Sequence, residues 1–373
     1  MNPGIFEMNM TNAVQERPET TKVKPTSPIV EVFSALMDGR DASIKNKDLS
    51  INRIKELASR AVGGDRTAES ELNAIQAYAI QPKLLSRIKI LDFMGRYHTI
   101  PYNEVPYITT YKYEGVDARW QASSGDVPFA SYSMRRYPVA TQTISSGFSV
   151  DYRELQTGNF AGSVAEGHRQ VLTDMENKAV YYVVAKLYDA VKNAKGVKHF
   201  AESQGITKTA VDNMLAAMRR YGKVNICGDY AVISQLNGFA GYTTVGSAVI
   251  PFGGDAASDE IRRIGHLSLY NGSHVVEIPN ALNFMKILTD DNDNKSYDLY
   301  MPQGLLYFVP QGVGVPPLQI FRRGGVTTMT GDDIVTRQHM TRFDMEIGAG
   351  VAEGLEDWIG LISDSNFDAP ALP

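Results

Sequence analysis

The segment from Ser163 to Asn193, SVAEGHRQVLTDMENKAVYYVVAKLYDAVKN, constrains the fold more than any other stretch of the chain. Apolar residues recur at Leu172, Met175, Ala179, Val183, Leu187 and Ala190, the three-and-four spacing of one helical face. Asp174, Lys178, Lys186 and Asp189 fall between them and can stay wet. Ser163 offers an N-cap, and Glu166, three residues on, can reach back to the cap's N–H. Gly196 supplies a stop. A helix of that length is about 45 Å long, where most globular helices run only about three or four turns. Such a rod spans its own domain, so it has to brace something.

Composition narrows what that something is. Of 373 residues, 43% are hydrophobic, which suits a globular protein with a real core. The net charge of −5 speaks against a dedicated nucleic-acid binder, whose affinity comes from clustered Lys and Arg. A single cysteine, Cys227, excludes an intrachain disulfide and gives no hint of a secreted, stapled fold. The N-terminus has neither the cationic start nor the apolar core of a signal peptide. No apolar run approaches the ~20 residues of a membrane span. The expectation is a soluble protein made in a cytosol, without a membrane partner.

Residues 1 to 26 are polar and aperiodic and read as a flexible arm. Four short amphipathic helices are expected next. They open at Ser27-Pro28, at Ser50, after Asp65 and at Pro82. Together they offer little core of their own and need another surface. From Pro101 to Val150 the character turns to β. Tyr107 to Tyr113 alternates and is rich in strand formers, Glu114 to Phe129 is a polar excursion carrying Trp120, and Ser131 to Ser149 reads as one return strand. A two-stranded ribbon is marginal in water, so this one should lie on something.

After the long helix comes a compact α/β block from Gly205 to Pro317. It holds a helix over Thr207–Tyr221, a strand at Lys223–Cys227 and a small helix capped by Asp229. Asn271-Gly272 is a primed hairpin turn. Strands follow at Phe284–Thr289 and Leu305–Val309. The remainder offers strands at Leu318–Arg322 and Ile334–Gly350, then the apolar run Trp358–Ile362.

Sites of chemistry are hard to find. The run Asp290–Asn294 invites a calcium reading, but Lys295 and Met301 occupy the places of the required Gly and Glu, so a solvated turn is expected. Gly312-Val313-Gly314 meets Pro317 where a dinucleotide fingerprint needs its third glycine. No two of His98, His168, His199, His266, His274 and His339 have metal-binding helical spacing, and no cysteine cluster joins them. His168 is expected at the surface, and Cys227 as a buried small apolar residue. The chain is therefore expected to have no catalytic, cofactor-binding or metal residues, and not to be an enzyme.

An N-terminal arm, an extended hairpin, an over-long helix, an α/β block and returning strands, in that order, resemble the major capsid protein of tailed bacteriophages, the Hong Kong ninety-seven-type fold. The resemblance implies an α+β chain with an arm over 1–98 and a hairpin called the E-loop over 99–150. A P-domain with its spine helix takes 151–204, an axial A-domain takes 205–317, and P-domain return strands take 318–373. It implies a structural subunit that self-assembles as pentamers and hexamers into an icosahedral head around double-stranded DNA, without sequence-specific binding. Scaffolding, portal and decoration proteins are the expected partners. The location would be the virion, assembled in the host cytoplasm. Contact residues would be Trp120, Arg135 and Arg136 on the E-loop and Arg322 and Arg323 near the P-domain.

One family member staples subunits through an E-loop Lys and a P-domain Asn. Here residues 114–136 contain no Lys and residues 330–362 no Asn, so no such bond is expected. Two alternatives stand beside this reading. One is an encapsulin-like nanocompartment shell. The other is an α/β enzyme built on the Gly205–Pro317 block, which would need a pocket near His266, His274 or Cys227.

Overall fold

The structure is a computed structural model. It describes residues 24, 26–37, 47–62, 64–88, 95–114, 120, 129, 131–151, 160–239, 242–245, 248–251, 261, 263–289, 293, 295–311, 317–333, 335 and 338–370. The expected flexible stretch 1–26, apart from residues 24 and 26, and the Gly312–Gly314 motif lie outside these residues, as does nearly all of the Glu114–Phe129 excursion and of the Asp290–Asn294 run.

In chain order the elements are helices α1 (Pro28–Met37), α2 (Lys47–Val62) and α3 (Arg66–Ile88), then strands β1 (Arg96–Ile100), β2 (Tyr107–Glu114), β3 (Ser131–Pro138) and β4 (Thr141–Asp151). The long helix α4 (Phe160–Lys192) follows. After it come β5 (Phe200–Ser203), α5 (Lys208–Met218), β6 (Lys223–Gly228), the single turn α6 (Tyr230–Ile233), β7 (Tyr242–Val245), β8 (Ala248–Pro251), β9 (Leu269–Tyr270) and β10 (Ser273–Glu277). The rest is β: β11 (Leu282–Thr289), β12 (Lys295–Leu299), β13 (Leu305–Gln311), β14 (Leu318–Asp333), β15 (Gln338–Val351) and β16 (Gly360–Asp364). The chain is α+β, with N-terminal helices, a hairpin, a long helix, an α/β block and further strands in that order.

Two compact units divide the chain: Met1–Arg87 with Ser145–Met175 and Gly325–Met345, and Ile88–Ile144 with Glu176–Gly324 and Glu346–Pro373. The first contains the three N-terminal helices. They bury Val32 and Phe33 of α1, Ile54 and Leu57 of α2, and Leu72 and Ile75 of α3. So these helices make a core after all, with β4, the start of α4 and the β14–β15 arm supplying the surface they were expected to need. Asp65 caps α3 by accepting from the N–H groups of Thr67 and Ala68 at 3.0 and 3.3 Å. Its carboxyl is held below the usual range by the Arg60 hydrogen bond and those amides. Pro82 opens no new helix: α3 runs through it, at the cost of the hydrogen bond its missing N–H would make.

The second unit is organised on a six-stranded sheet ordered β5-β16-β13-β6-β10-β9. α5 and α6 cover it, and Val211, Leu215, Met218, Ile226, Leu306 and Phe308 belong to one core cluster. Thr207 caps α5 and Asp229 caps α6, as their sequence positions suggest. Asn271 and Gly272 both have positive φ, 47° and 76°, which a primed turn requires. β16 is a correction: the Trp358–Ile362 run joins this sheet between β5 and β13, not the return strands.

A further sheet has the order β1-β14-β15-β4. Here β14 continues well past Arg322 to Asp333, and β15 starts only at Gln338. The expected single strand Ser131–Ser149 also divides. Pro138 has no N–H for the ladder, the Val139 N–H turns to Pro106 O at 2.9 Å, and β3 and β4 enter different sheets.

α4 begins three residues before the expected Ser163 and ends one before Asn193. Leu172, Met175, Ala179, Val183 and Leu187 are buried, but so are Val180, Tyr182, Val184, Ala185 and Tyr188. Its second half is therefore enclosed around most of its girth, not along one stripe. The Tyr307 hydroxyl of β13 donates to Val184 O at 2.9 Å, and burial pushes that phenol's pKa well up. The Tyr182 hydroxyl donates to Ala140 O at 3.5 Å.

Candidate assembly surface

β2 and β3 pair antiparallel from Tyr107 opposite Pro138 to Glu114 opposite Ser131. Opposed residues share a face, and faces alternate along each strand. That places Tyr107, Thr109 and Tyr111 on one face with Tyr132, Met134 and Arg136. Tyr107, Tyr111, Tyr132 and Met134 are each about half exposed. The rings of Tyr111 and Tyr132 stack at 5.3 Å with an interplanar angle of 18°. The ribbon is anchored at its base, where Ile108 and Val139 are buried with Phe321 and Ala352. In the segment joining β2 to β3, Trp120 is fully exposed and Phe129 almost so. Tyr, Trp, Met and Arg are the residues enriched in interface cores, and a contiguous stripe of them left in water marks an interaction surface.

The expected contact residues fall in two places. Trp120 lies in the hairpin loop and is fully exposed. Arg135 and Arg136 are exposed on β3 but point to opposite faces, so only Arg136 shares the tyrosine face. Arg322 and Arg323 sit where β14 pairs with β1, opposite Thr99 and Ile100. Arg322 is not at the surface of the chain: it is 3% exposed and its Nε donates to Gly324 O at 3.0 Å. One of its terminal nitrogens has no hydrogen-bond partner. The Nε of Arg323 donates to Tyr102 O at 2.9 Å, and its guanidinium lies 3.5 Å from Glu346. The tyrosines and Met134 escaped the sequence reading, although their period-two spacing on a strand was a usable signal. A buried guanidinium with an unmet donor is costly to keep. We expect Arg322→Met to leave the thermal unfolding midpoint of the isolated subunit unchanged or raise it, by about 1 kcal/mol at most. A clear fall in a calorimetric scan would refute this.

His168 is a second correction. It is fully buried, not at the surface, and its ring meets Phe33 at 5.2 Å, Phe148 at 4.7 Å and Phe343 at 5.2 Å. Phe33 comes from α1, Phe148 from β4 and Phe343 from β15, so the histidine joins three elements distant in sequence. Gly167, just before it, lies so close to Phe148 that a side chain there would meet the ring at 2.7 Å. Nearby, a groove of about 770 Å³ is lined by residues 145–149, Met329, Thr330, Met340, Thr341 and Arg342. Thr330 is fixed from α3: its hydroxyl donates to Glu69 at 2.7 Å and accepts from the Asn73 amide at 3.1 Å.

The chemical candidates are placed without convergence. Cys227 is fully buried in β6, and burial pushes its thiol pKa up to about 12, far from a thiolate nucleophile. His266 is buried, its Nδ1 3.0 Å from Leu267 O and its Nε2 3.6 Å from Glu277. His274 is exposed, with Lys223 Nζ 3.2 Å from its Nε2. Among the described residues, no three His, Cys, Asp or Glu side chains stand together as a metal site. None of the described helices is long and apolar enough to cross a membrane.

Comparison with known proteins matches residues 10–363 to the model of one family, described as "SPbeta prophage-derived putative capsid protein YonB". No curated protein sequence matches the chain. Among solved structures, the Mycobacterium phage Patience chain is 13% identical with a TM-score of 0.45, over 81% of this chain and 91% of that one. The virus-like particle from Pyrococcus furiosus is 9% identical with a TM-score of 0.42, over 76% and 97%. The SrpI encapsulin complex from Synechococcus elongatus is 9% identical with a TM-score of 0.43, over 76% and 88%.

Proposed function

The chain belongs to the family of the prophage-derived capsid protein YonB, a structural protein, and on that premise we propose that it is the major shell subunit of a tailed-bacteriophage head. The observation that carries this reading is the ribbon's half-exposed face of Tyr107, Tyr111, Tyr132 and Met134. Isolated, that face costs solubility. Between copies it becomes interface, and stability then belongs to the assembly. The E-loop, residues 99–150, lies over the P-domain of a neighbour. The A-domain, residues 205–317, meets its copies around five-fold and six-fold axes. The shell encloses double-stranded DNA in the virion, and portal, scaffolding and decoration proteins are its other partners. Trp120, Arg135 and Arg136 make inter-subunit contacts on the E-loop, Arg136 on the tyrosine side and Arg135 on the other, with Arg323 contributing at the β1–β14 corner.

Negative-stain microscopy of the expressed full-length chain tests the class. Shells or ring-shaped capsomers are expected, and a stable monomer or small dimer would overturn the reading. Denaturing gels of mature particles are expected to show one band at the subunit mass. Covalent ladders would contradict the absence of Lys from residues 114–136 and of Asn from 330–362.

A further inference from the structure

One end of the α/β block carries cations that the shell reading leaves unused. The end of α4 and the turn after it supply Lys192, Lys195 and Lys198, and the turn after α5 and the start of β6 supply Arg219, Arg220 and Lys223. All of these are exposed. Two contacts tie the segments together. The ring of His199 lies against Tyr221 at 5.9 Å, with its Nε2 3.5 Å from the phenol oxygen, and Tyr221 packs against Trp358 at 5.5 Å. Lys192 and Lys198 lie over the rings of Tyr188 and Phe200 at 5.2 and 5.8 Å. His274 of β10 extends the patch through Lys223. Arg219 lies along the Asn271-Gly272 turn, 3.3 Å from where a side chain on Gly272 would begin.

The chain carries a net charge of −5, with 42 acidic residues available. Yet none of these cations forms an ion pair with a carboxylate among the described residues. The nearby acid Asp212 is occupied by Lys208, Tyr270 and Asn271. The Asp357 carboxylate also lies here, against Gly196 between Lys195 and Lys198, but it pairs with neither, and the six cations outnumber it. Like charges in such excess repel, and an arriving anion relieves them. The run Arg219-Arg220-Tyr221-Gly222-Lys223 interleaves basic and aromatic residues, a pattern suited to a nucleic-acid backbone.

We propose that this patch binds the phosphate backbone of double-stranded nucleic acid, without regard to sequence. The shell reading names the source as the enclosed genome, so the proposal rests on it for its biology but not for its chemistry. A regular polyanion fits better than an acidic protein surface, because the cations are spread over two turns and a strand. Backbone phosphates repeat along a duplex and can meet them all without a matched partner.

The test is fluorescence anisotropy of the full-length protein with labelled duplexes of two unrelated sequences, across a salt series. Both duplexes should bind alike, with affinity falling steeply as salt rises. Combining Arg219→Glu, Arg220→Glu and Lys223→Glu should weaken binding about tenfold or more and flatten the salt slope by about 0.9 for each phosphate no longer neutralised. Lys195→Glu with Lys198→Glu should act in the same direction, because both turns form one surface. Every substituted position is exposed, and unchanged thermal unfolding of the variants would confirm that they are folded. Unchanged DNA affinity in folded variants would overturn the proposal. So would absence of DNA binding by the parent, or loss of shell assembly with DNA affinity intact, which would make the patch a copy-to-copy contact. A parent that binds DNA through these residues but never forms particles would instead refute the shell reading and leave this one standing.

Discussion

Val183→Asp is expected to remove soluble subunits altogether. Val183 is fully buried at the middle of α4, and Ala179 and Leu187, one turn to either side, are buried as completely. Its chain neighbours Tyr182 and Val184 are buried too, so an aspartate there finds no route to water. The substitution loses about 1.5–3 kcal/mol of apolar burial. It also strands a carboxylate at a penalty of several kcal/mol. Against a total folding stability of about 5–15 kcal/mol, that sum decides the outcome. Val183→Ala is the calibrating variant. It keeps the site apolar, so it should stay soluble with a lowered unfolding midpoint. The soluble fraction after expression, followed by calorimetry of whatever is recovered, separates the two. Normal particles from Val183→Asp would mean that α4 is not the brace of this fold.

That prediction was available from the sequence because α4 is long and its repeat unambiguous. The spacing from Leu172 to Leu187 fixed the register of the helix, and the ends came out within three residues. It was the breadth of burial that stayed hidden. Tyr182, Val184, Ala185 and Tyr188 lie off the apolar stripe, and only β13 and the segment around Ala140 reveal why they are enclosed. His168 shows the same limit more sharply. Flanked by Gly167 and Arg169, it looks like a surface residue. Its burial depends on Phe33, Phe148 and Phe343, which no local pattern connects to it.

Local rules worked where they describe local chemistry. The cap at Asp229 and the turn at Asn271-Gly272 form as read, whereas Ser163 is not the N-cap, because α4 already starts at Phe160. Local rules also misled where a breaker was tolerated. Pro82 is carried inside α3, and β14 runs on through Gly324 and Gly325. Trp120, Arg135 and Arg136 stood out in the sequence as unusual residues on a strand-rich hairpin, and all three are exposed. The tyrosine face was legible only in part: alternation puts Tyr107, Thr109 and Tyr111 on one side of β2, but which residues of β3 join them depends on the pairing register.

Gly147→Val is expected to loosen the first compact unit at the strand pair β4–β15. A side chain at Gly147 would begin 2.6 Å from Thr341 O and 3.3 Å from Arg342 Cα. Both are backbone atoms of β15, which cannot swing aside as a side chain could. The strands must part or slip, and overpacking of this kind costs about 1–3 kcal/mol. Phe148, the next residue, would be drawn from its contacts with His168 and Phe343. Polar ties would go as well. Arg342 donates to Ser145 at 3.1 Å and to Asp344 at 2.8 Å. Burial pushes the Asp344 carboxyl up, but hydrogen bonds from Ser145 and Arg342 outweigh it and hold the group below the usual carboxylate range. A carboxyl depressed in the folded state stabilises above its unfolded pKa, and that contribution is lost as pH falls through the folded pKa. Wild type should therefore shed this part of its stability in acid, whereas Gly147→Val has little of it to lose. Because Arg342 is largely exposed, the part concerned is at most about 1 kcal/mol. The gap in unfolding midpoint between the two proteins should be widest near neutral pH and narrow as pH drops below the ordinary carboxylate range. Calorimetric scans across that range measure it. A gap that stays constant would show that the clash acts on packing alone and leaves the Ser145–Arg342–Asp344 bridge intact.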